Sequence, residues 1–294
     1  MEKQFNDYFD LKLEDINLHT YPFPHAVIDN FLPLDQFKLI TNSIASIQNR
    51  NIQKSFSTEL ESNKKLHFHY ESDKQLMLPI NILSSDKAIN LIGNLFKVNN
   101  LTSLKEFDSY GGYSPFHEMN DNGYLGSHVD HSHKNEKIHI ANAIYYCSNN
   151  WKNEWGGETL LFNKSGLKIR KKIICKPNRL VLFVNSSYSF HGVNTINSNG
   201  NSRFSYYMDY NCNKYDAEKM YQYWSRKNNN PINLTSWHHG TTFLPFYPLE
   251  TIKFPKFNYK NLKTTFLYIH TYIFNYMLGK LSKNIKKLCL EKKK

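Results

Sequence analysis

The sequence predicts a mainly β fold with flanking helices, in the form of a sandwich, a jelly roll or a barrel. Short apolar runs follow one another between positions 104 and 212, and turn residues such as Gly111-Gly112 and Pro177-Asn178 separate them. Strands this short and this closely spaced are typical of those folds. The chain has 294 residues, of which 40% are hydrophobic, so it is long enough to bury a sizeable core.

The elements can be predicted in order along the chain. An apolar run within 21–31 favours a strand, and apolar residues at near-helical spacing predict helices over 34–48 and 86–96. The candidate strands that follow are 104–110, 138–147, 157–162, 171–175, 179–184, 190–195 and 203–210.

Beyond position 212 the sequence becomes helical and aromatic again. We therefore divide the chain into an N-terminal helical and strand support region at 1–103, a β core at 104–212 and a C-terminal helical, basic extension at 213–294.

The composition argues against several classes of protein. The four cysteines include no CxxC pair, which disfavours a disulfide scaffold or a cysteine zinc site. The segment after Met1 is polar, so it predicts no secretory signal. No stretch of about 18 apolar residues is present, so we expect no transmembrane helix and a cytoplasmic location.

The positive charge is concentrated at one end of the chain. The formal net charge is +12, and residues 252–294 carry eleven lysines and one glutamate, which leaves about +2 for the rest. A nucleic-acid groove would need basic residues spread over the folded surface, so we expect no nucleic-acid partner. Residues 264–290 have the spacing of an amphipathic helix, which either packs on the barrel or brings the basic segment 264–294 to an anionic membrane surface.

A candidate metal site comes from two motifs. In the phrase GYLGSHVDH, His128 and Asp130 are two residues apart, so on an extended chain they point to the same side. His191 follows 63 residues later in SFHGVNTI. Two imidazoles and one carboxylate on a β frame are the donor set of non-haem Fe(II), and zinc could use the same donors.

A candidate anion site lies further along. Arg203 opens the strand RFSYYMDY, and Ser205 lies on the same strand face. Tyr145 and Tyr146 alternate in direction, so one of them faces inward. A buried arginine can bind a carboxylate through two hydrogen bonds, and serine and tyrosine hydroxyls could donate to the same group. Together these groups suit a bidentate 2-oxo diacid.

The block from Gly123 to Tyr210 resembles the 2-oxoglutarate- and Fe(II)-dependent dioxygenases, and especially the prolyl 4-hydroxylase-like branch. The matching phrases, in order, are SHVDH, AIYYCSNNWKNEWGGETLLF, KPNRLVLFVNSSYSFHGVNTI and RFSYYMDY. The phrase PFPHAVIDNFLP is also similar to the N-terminal phrase of many members. The resemblance implies a double-stranded β-helix, a jelly-roll, cupin-like barrel flanked by helices.

The resemblance also implies roles for particular residues. It makes His128, Asp130 and His191 the iron ligands, and Arg203 the partner of the distal carboxylate of 2-oxoglutarate, assisted by Tyr146 and Ser205. The implied cofactors are Fe(II), 2-oxoglutarate and O2, with ascorbate as a further candidate. The implied reaction is hydroxylation of an unactivated C–H bond with release of succinate and CO2, on a prolyl or other amino-acid side chain, a small metabolite or a glycan precursor.

Two alternatives stay open at this stage. A cupin-like, metal-dependent isomerase or hydrolase would share the barrel but would have no use for Arg203. A non-catalytic binding barrel would be marked by a lost ligand, and His128, Asp130 and His191 are all present.

Further segments could contact the substrate. The glycine-rich stretch 109–126 could form a lid, and 233–243 could fold over the mouth. The alternative for both is a surface loop with buried aromatic anchors. The residues of interest in 233–243 are Trp237, His238 and His239. We expect His131 and His133 at the mouth and His139 as an ordinary strand residue.

Overall fold

The computed structural model describes residues 11–47, 52–56, 61–67, 74–103, 115–130, 133–134, 137–164, 166, 168–186, 188–227 and 242–243. Four α-helices lie in this part of the chain: α1 (Leu34–Ser46), α2 (Lys74–Leu83), α3 (Asp86–Phe96) and α4 (Lys214–Lys227). The strands are β1 (Leu18–His19), β2 (His25–Ile28), β3 (Ile52–Phe56), β4 (Glu61–His67), β5 (Thr102–Ser103), β6 (Phe116–Val129), β7 (His133–Lys134), β8 (Lys137–Tyr146), β9 (Thr159–Phe162), β10 (Ile169–Ile173), β11 (Arg179–Val184), β12 (His191–Val193), β13 (Arg203–Asn213) and β14 (Thr242–Phe243).

Strand β6 belongs to two layers of the β structure. The hydrogen-bonded order is β1-β2-β11-β8-β13-β6-β12-β9-β10, and all neighbours are antiparallel. The first part of β6, 116–119, pairs with β13, and its last part, 125–128, pairs with β12. One layer therefore contains β11, β8 and β13, and the other contains β12, β9 and β10. This confirms the predicted jelly roll, mainly β with flanking helices.

The two faces of β8 pack into different parts of the core. Tyr145 joins the cluster that includes α1, α2, α3 and α4 residues such as Ile40, whereas Tyr146 joins the cluster with Leu161 and Phe183. Alternate residues of a strand point to opposite faces, so one tyrosine faces the helices and its neighbour faces the barrel interior. The predicted alternation of this pair is thereby confirmed.

The two helices predicted over 34–48 and 86–96 are present. Helix α1 matches the predicted 34–48 to within two residues, and α3 coincides with 86–96. The Ser85 hydroxyl caps α3 by accepting from the Ala88 N–H at 3.3 Å. Helix α2 was not predicted, because it is apolar on most sides and carries Pro79 inside it, so no amphipathic period marks it. No helix in the described ranges is long and apolar enough to cross a bilayer.

The expectation of a lid or a surface loop at 109–126 needs a correction for its second part, since residues 109–114 lie outside the described ranges. Its described part from Phe116 onward lies inside β6. The polar residues of this strand do not show the apolar alternation from which strands are predicted. Two of them have structural roles instead: the Asp121 carboxylate accepts from the Ser198 N–H at 2.5 Å, and Asn122 adopts a positive φ of 59°. This is the region in which β6 changes partner from β13 to β12.

Several predicted features lie outside the described residues. They are the strand 104–110, the helix 264–290, His131, and the group Trp237, His238 and His239. His133 is described only through its backbone, in β7.

Candidate functional site

The two predicted histidine ligands are brought together by strand pairing. His128 lies near the end of β6 and His191 begins β12, and the two are direct partners in the antiparallel ladder. Their ring centroids are 4.1 Å apart. Asp130 follows β6 directly, with Oδ1 3.5 Å from His128 Nε2 and Oδ2 3.1 Å from His191 Nε2. One ligand atom from each residue lies within 4.8 Å of the others, so the three can share a metal ion.

The backbone fixes the orientation of both imidazoles. His128 Nδ1 lies 2.8 Å from the Gly126 carbonyl, and His191 Nδ1 lies 2.9 Å from the Ser189 carbonyl. A carbonyl only accepts hydrogen bonds, so each Nδ1 carries the hydrogen and donates it. The lone pair is then on Nε2, the atom that faces Asp130, which is how histidines are held for metal binding.

The protonation states also suit a metal. Burial, together with the neighbouring His191, lowers the pKa of His128 to about 3, so its imidazole is neutral. Burial alone would raise the pKa of Asp130, but His191 and His128 outweigh it and hold that pKa well below the ordinary range. Neutral imidazole and ionised carboxylate are the forms that bind metals. The donor set of two nitrogens and one carboxylate fits Fe(II), and it does not exclude zinc.

Asp130 has further partners that the sequence did not predict. Its Oδ2 accepts from Asn142 Nδ2 at 2.9 Å and from the Tyr207 hydroxyl at 2.7 Å. Its backbone carbonyl accepts from Asn185 Nδ2 at 2.7 Å. Tyr207 could have been found, because it is two residues beyond Ser205 and therefore shares a strand face with it. Asn142 lies four residues before Tyr146 on β8 and therefore shares a strand face with it, but nothing in the sequence links Asn142 to Asp130.

His139 lies in strand β8, as expected, and outside the candidate metal group. Its buried ring hydrogen-bonds Asn142 Oδ1 and lies 3.1 Å from the Asp209 carboxylate. Burial would lower the pKa of His139, but the Asp209 charge outweighs burial and raises it. A buried ion pair therefore lies directly behind the amide that contacts Asp130.

Arg203 lies at the start of β13, inside the barrel. Its side chain is buried, with Nε donating to the Gly157 carbonyl at 2.9 Å and one terminal nitrogen donating to Ser205 Oγ at 3.2 Å. The guanidinium carbon is 4.8 Å from the centroid of the Tyr146 ring, and Tyr146 and Cys175 interact electrostatically with the guanidinium. The Tyr146 hydroxyl in turn hydrogen-bonds the Thr159 hydroxyl. The three predicted residues Arg203, Tyr146 and Ser205 thus lie next to one another. Thr159 lies beside them and was not predicted from the sequence.

The charge of Arg203 has no carboxylate partner among the residues that the structure describes. Burial lowers the pKa of Arg203, but Cys175 and Tyr146 outweigh burial and raise it, so the guanidinium stays charged. A buried charge without a counter-ion is costly. The surroundings of Arg203 are therefore those of a site for an anion.

Gly157 makes room for the arginine. Its φ is +72°, and a Cβ atom placed on it would lie 2.9 Å from Arg203 Cδ. Any other residue would meet both the strain of this backbone conformation and a collision with the arginine stem. The double glycine, predicted to allow a sharp turn or bulge, thus also shapes the anion site.

Strand β13 connects the anion site to the triad. Arg203, Ser205 and Tyr207 are every second residue of β13 and lie on the same face of the strand. The Tyr207 hydroxyl donates to Asp130. Four residues along a strand span about 13 Å. On the other side of the triad, the backbone of Thr242–Phe243 pairs with Val129 and His128, so the described end of segment 233–243 runs beside the strand that carries the first ligand.

Comparison with solved structures finds distant likenesses. A Pseudomonas putida prolyl-4-hydroxylase is 14% identical with a TM-score of 0.45, covering 63% of this chain and 91% of that one. A Trichoplax adhaerens prolyl hydroxylase, solved with a hypoxia inducible factor peptide fragment, is 14% identical with a TM-score of 0.45, covering 74% and 93%. A prolyl 4-hydroxylase from Phytophthora capsici is 13% identical with a TM-score of 0.48, covering 79% and 77%.

The family comparison is more specific. No curated protein matches the chain significantly. Residues 114–208 match the family model described as the 2OG-Fe(II) oxygenase superfamily, and this range includes His128, Asp130, His191 and Arg203. Over these 95 of its 294 residues the chain is similar to the 2OG-Fe(II) oxygenase superfamily, and that likeness implies Fe(II), 2-oxoglutarate and O2 as cofactors.

Proposed function

We propose that this protein is an Fe(II)- and 2-oxoglutarate-dependent hydroxylase, similar to the prolyl 4-hydroxylases, that acts on an unactivated C–H bond and releases succinate and CO2. One observation carries the proposal: the same barrel interior holds a His-Asp-His triad and a buried, charged Arg203, joined by one face of β13. A cupin-like non-redox enzyme would use the triad but not the arginine, and a binding barrel would need neither.

The triad would hold the iron. His128 and His191 would bind through Nε2, since each Nδ1 is committed to a carbonyl, and Asp130 would bind through its carboxylate. The bound iron and its co-substrate supply the oxidising chemistry. The chain itself contributes a rigid, partly pre-formed ligand set, because two of the three ligands are paired strand residues.

Arg203 would bind the distal carboxylate of 2-oxoglutarate. Its guanidinium can give two parallel hydrogen bonds to a carboxylate, and Ser205, which it hydrogen-bonds, and Tyr146, whose ring it faces, would line the same site. Thr159 would keep the Tyr146 hydroxyl in place. The far end of the co-substrate would thereby be fixed, which orients its keto-acid end toward the triad.

The inner apolar cluster would keep water out. Phe183 packs against the His191 ring at 4.7 Å between centroids, and Leu161 and Val193 are buried in the same cluster. A dry site strengthens the ionic contacts inside it and limits side reactions of the oxidising centre.

We further propose that the substrate is a prolyl or other amino-acid side chain, a small metabolite or a glycan precursor. We also propose that ascorbate serves as a reductant, that the 264–294 segment contacts a membrane, and that the protein is cytoplasmic. The nearly neutral charge of residues 1–251 supports a partner other than nucleic acid.

The test is an anaerobic reconstitution followed by exposure to oxygen. The purified full chain receives Fe(II) and 2-oxoglutarate, and then air together with a pool of proline-containing peptides or metabolites. We expect consumption of 2-oxoglutarate, an equal amount of succinate, and a product heavier by one oxygen atom, read by mass spectrometry. Failure to bind or consume 2-oxoglutarate would contradict the proposal, and turnover with zinc alone would favour the cupin-like alternative.

A further inference from the structure

Strand β10, at the edge of the layer that carries His191, is strongly basic. Residues 159–208 contain eight lysine and arginine residues and no aspartate or glutamate. Three of these cations, Arg170, Lys171 and Lys172, are consecutive in β10, and all three are exposed. The total charge of residues 1–251 is nearly neutral, so this basic surface is not visible in the total.

The three β10 cations have no acidic partner in the part of the chain that the structure describes. Arg179, further along the same block, pairs with Asp29. None of the ion pairs between described residues includes a β10 cation. Their charge is therefore not neutralised by the fold, and a ligand with negative charge can interact with it.

The strand ladder places the middle cation in line with the two histidines of the triad. His128 pairs with His191, which in turn pairs with Leu161. Leu161 then pairs with Lys171 on β10. Directly opposed residues of an antiparallel pair point to the same face, and Leu161 lies in the inner apolar cluster. Neighbouring strands are about 4.8 Å apart, so the Lys171 backbone lies about 10 Å from that of His191.

We propose that β10 binds an acidic stretch of the polypeptide that the enzyme hydroxylates, beside the metal site. This inference rests on the proposed function and deepens it, because it narrows the substrate to a protein segment rich in aspartate or glutamate. From Lys168 to Lys172, which are both exposed, the chain covers about 13 Å. Several side chains of an extended polypeptide can contact a surface of this length together, whereas a single anionic group cannot.

Protection against aggregation does not account for the charge of this strand. Edge strands commonly carry charged side chains and bulges, which prevent pairing with other chains, and the register of β10 against β9 shifts between Ile169 and Lys171. Charges of either sign give that protection, whereas residues 159–208 contain only positive ones. The bulge also disfavours an added strand, so the acidic segment is bound through its side-chain carboxylates.

The test compares two fluorescent peptides that share a central proline. One has glutamate at the flanking positions, and the other has glutamine at the same positions. Fluorescence anisotropy measures the binding of each peptide to the metal-free full chain at low salt. We expect the wild type to bind the glutamate peptide at least about tenfold more tightly than the glutamine peptide. The difference should shrink as added salt screens the charges.

Reversal of the β10 charges should remove this preference. The variant carries Arg170→Glu, Lys171→Glu and Lys172→Glu together, and we expect it to bind the two peptides equally weakly. All three side chains are exposed, so the fold should be retained, which thermal unfolding checks. Binding of 2-oxoglutarate to the Co(II)-loaded variant should match the wild type, because Arg203 is unchanged.

The matched control reverses three exposed cations of α4. It carries Lys214→Glu, Lys219→Glu and Arg226→Glu, so its net charge equals that of the β10 variant. Both variants also keep the basic segment 252–294, which attracts acidic peptides without regard to the barrel. The control should therefore keep the wild-type preference for the glutamate peptide.

The outcomes separate this inference from the proposed function. Equal binding of the two peptides by the wild type, or equal losses in the β10 variant and the control, would overturn the inference alone. A β10 variant that keeps the peptide preference but loses binding to vesicles of anionic phospholipid would assign β10 to a membrane surface and would also overturn it. A wild type that prefers the glutamate peptide but binds neither Co(II) nor 2-oxoglutarate would contradict the proposed function and keep the acidic-peptide surface.

Discussion

Two buried regions of the barrel interior carry opposite charges, and they are built differently. At the triad, the negative charge of Asp130 lies beside two imidazoles and accepts hydrogen bonds from Asn142 and Tyr207. At the other region, the positive charge of Arg203 meets a carbonyl, hydroxyls and a thiol but no described carboxylate. The difference teaches that side chains of the chain itself satisfy the carboxylate of the triad, whereas the described residues give the buried cation no anionic partner, as the proposed binding of 2-oxoglutarate requires.

The largest effect is expected when the triad loses its only charge. Asp130→Ala removes the anionic metal donor and leaves Asn142 and Tyr207 without their acceptor. We expect metal affinity to fall by more than about 100-fold, beyond the loss typical of a hydrogen-bonded neighbour of a ligand, and succinate formation to fall below detection. Isothermal titration with Co(II) and a succinate assay measure the two effects.

The control for this change is Asp29→Ala, at a carboxylate that pairs with Arg179 and Lys176. An ion pair of this kind contributes little to stability, and its loss should leave metal binding and turnover unchanged. Normal turnover in a folded Asp130→Ala protein would remove the triad from the mechanism.

The two regions should also respond differently to pH. Burial lowers the pKa of His128 from 6.5 in the unfolded chain to about 3 in the folded, metal-free protein. Between these pH values the unfolded chain binds more protons than the folded protein does. The free energy of unfolding therefore rises with pH, and it decreases as the pH falls toward 3. The depressed pKa of Asp130 acts in the same direction below its ordinary range. For His128, the decrease in the free energy of unfolding amounts to at most about 5 kcal/mol, at about 1.4 kcal/mol per pKa unit.

Urea unfolding of the chelator-treated protein from pH 7 to pH 3.5 measures this dependence. His128→Asn should flatten it, because the titrating imidazole is gone. Arg203→Met should leave the slope as in the wild type, since a guanidinium stays charged throughout this range. Equal slopes in the wild type and His128→Asn would refute the buried, neutral state of His128.

The sequence predicted the residues of the two regions better than the contacts that join them. His128, Asp130, His191 and Arg203 stand in a fixed order with recognisable phrases around them, and alternation placed Ser205 beside Arg203. The missing information was tertiary: Tyr207 reaches Asp130 because β6 passes from β13 to β12 within one strand. The polar residues around Asn122 gave no strand pattern, so the change of partner within β6 could not be predicted. Helix α2 is apolar on most sides, so it gave no amphipathic pattern.

Removing the cation should produce an asymmetric result. Arg203→Met loses about two charge-assisted hydrogen bonds to the distal carboxylate, roughly 3 kcal/mol together, so the KM for 2-oxoglutarate should rise about 100-fold. The metal-free variant should be as stable as the wild type or more stable, because a costly buried charge has been replaced by an apolar side chain.

Titration of 2-oxoglutarate and thermal unfolding measure the two effects in the same preparation. Arg179→Met is the control, because Arg179 pairs with Asp29 outside the barrel interior and should not alter the KM. A destabilised Arg203→Met protein with an unchanged KM would mean that Arg203 is a structural residue and that the comparison of two oppositely charged regions is wrong.

The smallest effect separates two adjacent tyrosines of β8. Tyr146→Phe removes a hydroxyl that hydrogen-bonds Thr159 on a ring that faces the Arg203 guanidinium, so we expect the KM for 2-oxoglutarate to rise about tenfold, equal to about 1.4 kcal/mol. Tyr145→Phe removes a hydroxyl that donates to Asn178 at 3.0 Å on the opposite face, so it should lower the Tm and leave the KM unchanged. Because the two changes are chemically identical and adjacent, only the direction of the side chain can separate their effects. A similar rise in KM for both would mean that the hydroxyl acts through the stability of β8 rather than at the anion site.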